Sequence, residues 1–264
     1  MIRFSNMNDM NLKSLRKELE EELLTGILPF WMQQMTDEKN GGFYGRITGS
    51  GTLMPETEKG AILNARILWT FSAAYRLLKR EEYLATATRT KRVIIDRFYD
   101  KEYGGIYWSL DYKGSPLDTK KQIYAIGFAI YGLSEYHRAT GDAEALEYAV
   151  RLFEDIEAHS FDPVKNGYCE ALTRQWGEIA DMRLSAKDEN ERKTMNTHLH
   201  ILEPYTNLYC VWKDERLKRQ LHNLVELFTD KILNIETGHL KLFFDDDWHS
   251  RYNIVSYGHD IETS

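Results

Sequence analysis

The sequence is poor in cysteine and proline and has no long apolar run. It contains two cysteines and five prolines in 264 residues. Two cysteines build neither a disulfide framework nor a zinc site, so a reducing compartment is favoured. The first residues lack an apolar signal segment, and no run approaches the ~20 apolar residues that cross a bilayer. We therefore expect a cytoplasmic protein without membrane contact.

Basic runs and nucleotide-binding motifs are missing as well. The net charge of -7 argues against a nucleic acid or another polyanion as partner. The chain has no glycine-rich dinucleotide or Walker loop, no Gly-x-Ser-x-Gly elbow and no His-Glu-x-x-His helix. We expect no cofactor and no metal ion. Aromatic residues are abundant, with 16 tyrosines and 6 tryptophans, and they suit both helix packing and a carbohydrate site.

A turn pattern recurs along the chain. The segments 37–44 (DEKNGGFY) and 100–107 (DKEYGGIY) are followed by a weaker copy at 162–168 and a degenerate one at 237–240. The period of roughly 60 to 70 residues marks a repeated supersecondary unit. Each repeat holds a pair of predicted helices, and an amphipathic helix is predicted near 11–32. The helical pairs are predicted at 60–79 with 82–98, 121–138 with 143–158, and 195–212 with 214–233.

The two helices of a pair differ in their apolar pattern. The first is apolar on nearly all sides, as at 123–131, which indicates burial all round, whereas the second is amphipathic. Inner helices ringed by outer ones predict an all-α (α/α)6 toroid, with short β-hairpins over the end that holds the site. Closing such a ring takes roughly six hairpins, and about four fit here. We therefore expect one (α/α) barrel domain over 1–264 that lacks its C-terminal third.

Two histidine-bearing segments carry the candidate chemistry. In 195–207, helical spacing places Asn196, His200, Glu203 and Asn207 on one polar stripe, whereas His198 and His200 face apart and cannot chelate one ion. The stripe fits either sugar hydroxyls or an internal hydrogen-bond network. In 256–262, His259 and Glu262 are i, i+3 neighbours, and a histidine beside a carboxylate suits general base catalysis near neutral pH.

A third candidate is Arg66, which lies in a helix with almost no other charge. We expect it to be buried and to face an anionic group, either an internal partner such as Glu203 or Asp188 or a charged transition state. Tyr124 and Phe128, one turn apart, form either a pocket wall or part of the core.

These segments resemble one known family. The strings NTHLHILEPYTNL at 196–208, SYGHDIE at 256–262 and NARILWTFS at 64–72 are similar to those of the N-acylglucosamine 2-epimerase family, and within it most similar to the cellobiose 2-epimerases. The resemblance runs from about residue 10 to the last residue. It implies an (α/α)6 barrel and an epimerisation at C2 of a reducing-end glucose, through a cis-enediolate and without metal or cofactor.

The resemblance also implies roles for individual residues. His259 matches one of two catalytic histidines, Arg66 and His200 match groups around the reacting atoms, and the second catalytic base lies in a C-terminal third absent from this sequence. The 264-residue chain alone is then expected to have little or no epimerase activity. The partner is a sugar such as cellobiose, lactose or a related oligosaccharide, and the protein a monomer or weak homodimer. The implied substrate contacts are Tyr124, Phe128, Asp188, Asn196 and Glu262.

Three other functions fit parts of the pattern. An aldose–ketose isomerase of the same fold, such as a mannose isomerase, shares the enediolate but returns the proton to C1. An (α/α)6 glycoside hydrolase or lyase requires a carboxylate pair, for which Glu170 and Asp181 are the candidates. A non-catalytic interaction protein requires none of these residues.

Overall fold

The computed structural model describes residues 9–264, in which helical hairpins are joined by short antiparallel strands. The three predicted helical pairs are confirmed, each first helix beginning within two residues of the predicted position. The last turn of an outer helix is π-helical at Ile94–Phe98 and Phe228–Ile232. The helices are α1 (Asp9–Glu21), α2 (Leu28–Gln33), α3 (Ala61–Leu78), α4 (Glu81–Val93), α5 (Ile123–Thr140), α6 (Ala143–His159), α7 (Met195–Val211), α8 (Glu215–Leu227) and α9 (Tyr257–Thr263).

Inner and outer helices separate as their apolar patterns predict. α5 packs against α3 on one side and α7 on the other, and its own outer partner α6 lies behind it. Almost the whole of α5 is buried, because it is apolar on every face. α9 follows as the start of a fourth inner helix. The described residues thus form consecutive hairpins of an (α/α) barrel, whereas the single-domain assignment over 1–264 stays a prediction because residues 1–8 lie outside the described part.

Two glycines allow α5 to lie close to its neighbours. A Cβ at Gly132 would lie 2.8 Å from the carbonyl oxygen of Ala65 in α3, and one at Gly127 would overlap the carbonyl oxygen of His200 in α7. Pro204 has no N–H and so cannot donate the helical hydrogen bond that the His200 carbonyl would otherwise accept. The backbone of α5 therefore approaches α7 at the turn that carries His200.

We expect Gly127→Ala to lower the free energy of unfolding by ~1–3 kcal/mol, because the added methyl group overpacks this contact. Urea unfolding followed by circular dichroism measures the change. Gly49→Ala is the matched control, since a Cβ at Gly49 meets nothing within 4 Å. Equal stability of the two variants would contradict the close approach of α5 to α7.

Each of the first three repeated turns is joined to the strand before an inner helix by an ion pair, which is buried in the first two. Lys59 Nζ lies 2.7 Å from Asp37, and Lys121 Nζ lies 2.9 Å from Asp100. In the third repeat Lys193 Nζ lies 3.6 Å from Asp162. The pattern is lost in the fourth repeat, where Asn234 takes the place of the aspartate and Val255 that of the lysine. The strands are β1 (Lys59–Gly60), β2 (Ser109–Leu110), β3 (Pro116–Asp118), β4 (Lys121–Gln122), β5 (Ala171–Leu172), β6 (Lys193–Thr194), β7 (Leu233–Asn234), β8 (His239–Leu240) and β9 (Phe243–Phe244).

The predicted short hairpins at the repeated turns are present as single antiparallel bridges, at Thr36–Phe43, Tyr99–Ile106 and Phe161–Tyr168, and as the pair β7–β8. The pair β2–β3 is a further hairpin, whereas the remaining strand pairs join successive repeats. β1 pairs with β2, which also pairs with β3; β4 pairs with β5, β6 with β9 and β7 with β8, all antiparallel. β1, β4 and β6 lead directly into α3, α5 and α7, so the strands lie at the N-terminal ends of the inner helices. This end of the helical array is where the polar residues of α7 and α9 begin.

The predicted opening helix is present, and most of its apolar stripe is exposed. It runs through α1, a π-helical turn (Glu22–Ile27) and α2, close to the predicted 11–32. The leucines and the isoleucine of its apolar stripe are exposed to between 36% and 62% in the described structure. The exposed members are Leu12, Leu15, Leu19, Leu23 and Ile27. Within residues 9–264, no helix is long and apolar enough to cross a membrane.

Candidate active site

Histidines from two inner helices meet one carboxylate at the centre of the site. A ring nitrogen of His200 in α7, a ring nitrogen of His259 in α9 and a carboxylate oxygen of Glu262 all lie within 4.8 Å of one another. His259 and Glu262 are on the same side of α9 because they are three residues apart. The structure thus brings together three of the residues singled out in the sequence.

Each histidine is oriented by a different partner. His200 Nδ1 lies 2.7 Å from Glu203 Oε2, one turn further along α7. His259 Nδ1 lies 2.7 Å from the hydroxyl oxygen of Ser256, the residue that immediately precedes α9. Glu262, the carboxylate expected to orient His259, is therefore not the partner of His259 Nδ1, whereas Glu203 orients His200. In each ring the hydrogen bond at Nδ1 leaves Nε2 available for proton transfer.

Arg66 projects toward the same cluster but is not buried as expected. Its guanidinium carbon lies 4.5 Å from the ring centre of Phe128, and Nη2 donates to the Tyr124 hydroxyl at 3.3 Å. The side chain is exposed, so the prediction of a buried arginine is wrong. Neither predicted internal partner binds it, because Glu203 bonds to His200 and Asp188 bonds to Ser185.

Two aromatic side chains form the wall between α5 and α7. The rings of Tyr124 and Phe128 lie 4.7 Å and 4.9 Å from that of His200. Burial raises the pKa of the Tyr124 hydroxyl, the Glu262 and Glu203 carboxylates raise it further, and Arg66 opposes them. Tyr124 therefore stays protonated at neutral pH and offers a hydrogen-bond donor beside Arg66 and His200.

Two cavities flank the cluster. One of about 310 Å³ contains Arg66 and Glu262, and the other of about 240 Å³ contains His259 and Asn196. Sequence reasoning missed Trp69 and Tyr131 as wall residues, although Trp69 lies in the same quoted segment as Arg66. The first cavity is lined by Arg66, Trp69, Thr70, Phe128, Tyr131, Glu203 and Glu262. The second includes Glu170, Arg183, Lys187, Asp188, Glu189, Thr194, Asn196, Ser256 and His259.

The remaining members of the predicted polar stripe have different environments. Asn196 borders the second cavity, and its side-chain oxygen has no hydrogen-bond partner among the described residues. The side-chain amide of Asn207 instead forms a hydrogen bond with Ser134 Oγ of α5 at 2.9 Å, so it belongs to an internal network. Asp188, which is not part of the stripe, also borders the second cavity and accepts hydrogen bonds from Ser185. The stripe is thus divided between site and core.

The carboxylate pair required by a hydrolase does not face one cavity. Glu170 is buried, and burial raises its pKa to about 7. Asp181 is exposed and accepts two hydrogen bonds from the Arg183 guanidinium, which lower its pKa to about 2. Asp181 is absent from the lining of the cavity that Glu170 borders. This pair therefore offers no acid and base on either side of one bond.

His198 lies outside the site, as the helical geometry predicts. Its Nδ1 lies 2.6 Å from the carbonyl oxygen of Thr194, and its Nε2 accepts from the Tyr168 N–H at 3.0 Å. Burial lowers the pKa of His198 to about 4. The neutral ring thus joins the start of α7 to the third repeated turn, at 162–168.

Protonation of His198 should destabilise the fold in acid. Its folded-state pKa of about 4 lies below the ordinary 6.5, so the stabilisation is present above pH 6.5 and is lost as pH falls through 4. The loss amounts to about 3 kcal/mol. Measured unfolding free energies of wild type and His198→Gln should therefore converge between these pH values. His222→Gln on exposed α8 is the control, and a constant gap for His198→Gln would contradict the assignment.

The helical hairpins and the histidine–arginine site define an (α/α) barrel with a cavity at the N-terminal ends of its inner helices. The sequence profile of the N-acylglucosamine 2-epimerase (GlcNAc 2-epimerase) family matches residues 42–263. The chain belongs to this family, and its fold is the predicted (α/α)6 fold.

Several proteins to which this chain is similar are cellobiose 2-epimerases. The chain is 74% identical to a cellobiose 2-epimerase of Bacteroides fragilis over 250 residues, which is 95% of this chain and 64% of that protein. It is 43% identical to one of Ruminococcus albus, over 94% of this chain and 63% of that protein. The cellobiose 2-epimerase structure of Bacillus thermoamylovorans superposes with a TM-score of 0.91 at 43% identity, covering 94% of this chain and 64% of that one. The chain thus spans somewhat less than two thirds of these relatives.

Proposed function

We propose that this chain supplies most of the active site of a cellobiose 2-epimerase, which interconverts glucose and mannose at the reducing end of a β-1,4-linked disaccharide. The observation that carries the proposal is the meeting of His200, His259 and Glu262 within 4.8 Å, beside the Arg66 guanidinium. The names of the relatives point to the same reaction. The partner is a small sugar such as cellobiose, lactose or a related oligosaccharide.

The chemistry follows from a base beside a cation. The opened sugar has a C1 aldehyde, which makes the hydrogen at C2 acidic. His259 removes this proton, the C–H electron pair forms the C1–C2 double bond, and the negative charge moves to O1. Arg66 stabilises the resulting cis-enediolate. Return of a proton to the other face of C2 restores the aldehyde with inverted configuration, so nothing is oxidised or reduced overall.

Inversion requires a proton donor on the second face. His200, fixed by Glu203, lies beside His259 and is assigned to the reacting oxygens. The second base is proposed to lie in the part of the relatives that this chain does not span. The 264-residue chain alone is then expected to show little or no epimerisation.

Tyr124 lies beside Arg66 and His200, and the other proposed substrate contacts line the two cavities. Tyr124 donates its hydroxyl beside Arg66, and Phe128 presents an aromatic face that suits the apolar side of a sugar ring. Asn196 offers a sugar hydroxyl its carbonyl oxygen, which has no hydrogen-bond partner within residues 9–264. Asp188 and Glu262 accept hydroxyl hydrogen bonds from the two cavities. A cytoplasmic location and a monomeric or weakly dimeric state stay predictions.

Incubation with cellobiose in D2O tests the proposal. The test uses this chain and also an extended chain, defined as residues 1–264 joined to the portion of the B. fragilis relative outside the match. We expect the extended chain to incorporate deuterium at C2 and to form glucosyl-mannose, both detected by proton NMR. A folded extended chain without exchange at C2 would refute the proposal.

The same spectra separate the alternatives. A ketose product with deuterium at C1 would indicate an aldose–ketose isomerase, and free glucose would indicate a hydrolase. Full-rate epimerisation by the 264-residue chain alone would overturn the placement of the second base outside it.

A further inference from the structure

Glu170 is a buried carboxylic acid that the proposed mechanism leaves without a role. Its side chain is 2% exposed, although it borders the cavity that contains Asn196 and His259. The hydroxyl of Thr194 donates to Glu170 Oε2 at 2.6 Å, and the amide of Gln122 donates to Oε1 at 3.2 Å. Both donors are neutral, so this carboxyl group does not belong to an ion pair with either of them.

The two donors occupy equivalent places in the barrel. Gln122 immediately precedes α5, and Thr194 immediately precedes α7. Thr194 Oγ1 also accepts from the N–H of Thr197 at 3.1 Å and so caps α7. The main chain of Glu170 also binds the start of α5, because its carbonyl oxygen accepts from the N–H of Ile123, the first residue of α5, at 3.1 Å.

The first turns of these helices carry the residues assigned to the sugar. Tyr124 lies two residues beyond Gln122, Asn196 lies two residues beyond Thr194, and His200 lies about one turn further along α7. A shift of one helix start would therefore move one wall of the cavity relative to the other. A displacement of ~1 Å in such groups costs ~10²-fold in rate.

We propose that Glu170 is a positioning residue whose carboxyl group joins the starts of α5 and α7 and thereby holds Tyr124, Asn196 and His200 in their mutual arrangement around the sugar. The reference to a sugar rests on the proposed function, whereas the joining of the helices does not. Oxygen acceptors suit this place because unpaired N–H groups converge at helix starts. Burial raises the pKa of Glu170 to about 7, which matches a site surrounded by neutral donors.

The test compares variants that remove the bonds with variants that retain an acceptor or a donor. Glu170→Ala removes both bonds to the carboxyl group, and Thr194→Val removes the bond from Thr194 together with the cap of α7. Glu170→Gln and Thr194→Ser keep the bond between residues 170 and 194. Glu157→Ala is the matched control: Glu157 is a half-buried carboxyl that accepts from the Tyr168 and Tyr205 hydroxyls at 2.9 Å and 2.8 Å, behind the inner ring.

Two readouts distinguish positioning from mere stability. In the 264-residue chain, NMR spectra of ¹⁵N-labelled imidazoles report the hydrogen bond between His200 and Glu203. We expect His200 signals to shift in Glu170→Ala and Thr194→Val, to recover in Glu170→Gln and Thr194→Ser, and to stay unchanged in the control. In the extended chain, kcat should fall roughly tenfold or more in the first two variants and recover to within about threefold in the conservative ones.

A folded Glu170→Ala variant with unchanged His200 signals, or with unchanged kcat in an active extended chain, overturns the proposal. Equal shifts of His200 in Glu170→Ala and Glu157→Ala also overturn it. If Glu170→Ala does not fold, Thr194→Val is judged by the same criteria. An inactive parent with the expected NMR pattern refutes the proposed function and leaves the joining of the helices supported.

Discussion

His259→Ala in the extended chain should lower the rate of C2 exchange by ~10²–10⁴-fold, because the variant removes the group that takes the proton. KM should change much less, because the walls formed by Tyr124 and Phe128 remain. Deuterium incorporation at C2 of cellobiose, measured at saturating sugar, reports the loss directly. The comparison is made near neutral pH, where imidazole is an effective base.

His222→Ala provides the control for this variant. His222 lies exposed on α8, outside the inner ring, and its removal should leave exchange unchanged. Ser256→Ala adds a graded test, since it removes only the hydroxyl that orients the His259 ring at 2.7 Å. Its rate should fall between those of wild type and His259→Ala. Exchange at the wild-type rate in His259→Ala would exclude His259 as a base.

Lys59→Met should give the largest loss of stability, with a fall of ~3–5 kcal/mol in the free energy of unfolding. The substitution leaves the Asp37 carboxylate buried without its cation, since both side chains are almost fully inaccessible. Although burial raises the pKa of Asp37, the hydrogen bonds from Lys59 and Asn40 bring it below its ordinary value. Urea denaturation followed by far-ultraviolet circular dichroism measures the effect.

Two further variants make this expectation specific. Lys121→Met should cost less than Lys59→Met, because Arg174 still donates to Asp100 at 2.9 Å. Adding Asp37→Asn to Lys59→Met should restore part of the stability, since the amide keeps an oxygen for the turn N–H groups while the charge is removed. If the double variant is no more stable than Lys59→Met, the unpaired Asp37 carboxylate is not the cause of the lost stability.

The fold could be predicted because its signals are local and repeated. The segment 37–44 predicts a turn, and the apolar stretch at 123–131 predicts an inner helix. The period of the repeat then indicates how turns and helices combine into hairpins. The lysine partners of the turns escaped prediction, because Lys59 and Asp37 are separated in sequence and nothing local connects them. The exposure of the apolar stripe in the opening helical segment depends on what packs against that segment and not on the spacing of its apolar residues.

The site was predicted in composition more accurately than in geometry. His200, His259 and Glu262 meet as their helical positions indicate. The orientation of each ring depends on which neighbour reaches it: Ser256 and Glu203 both stand three residues from their histidines, and spacing does not show which of several such neighbours forms the hydrogen bond. The environment of Arg66 likewise depends on the tertiary arrangement of three helices.

The turn–strand ion pairs have a consequence for how the array comes apart. Their separations lengthen from 2.7 Å and 2.9 Å to 3.6 Å along the chain, and the fourth unit has asparagine and valine at the two positions. Neighbouring hairpins pack mainly on one another, so we expect local opening to begin where this ion pair is missing. Among residues 9–264, that is the unit whose helix carries His259.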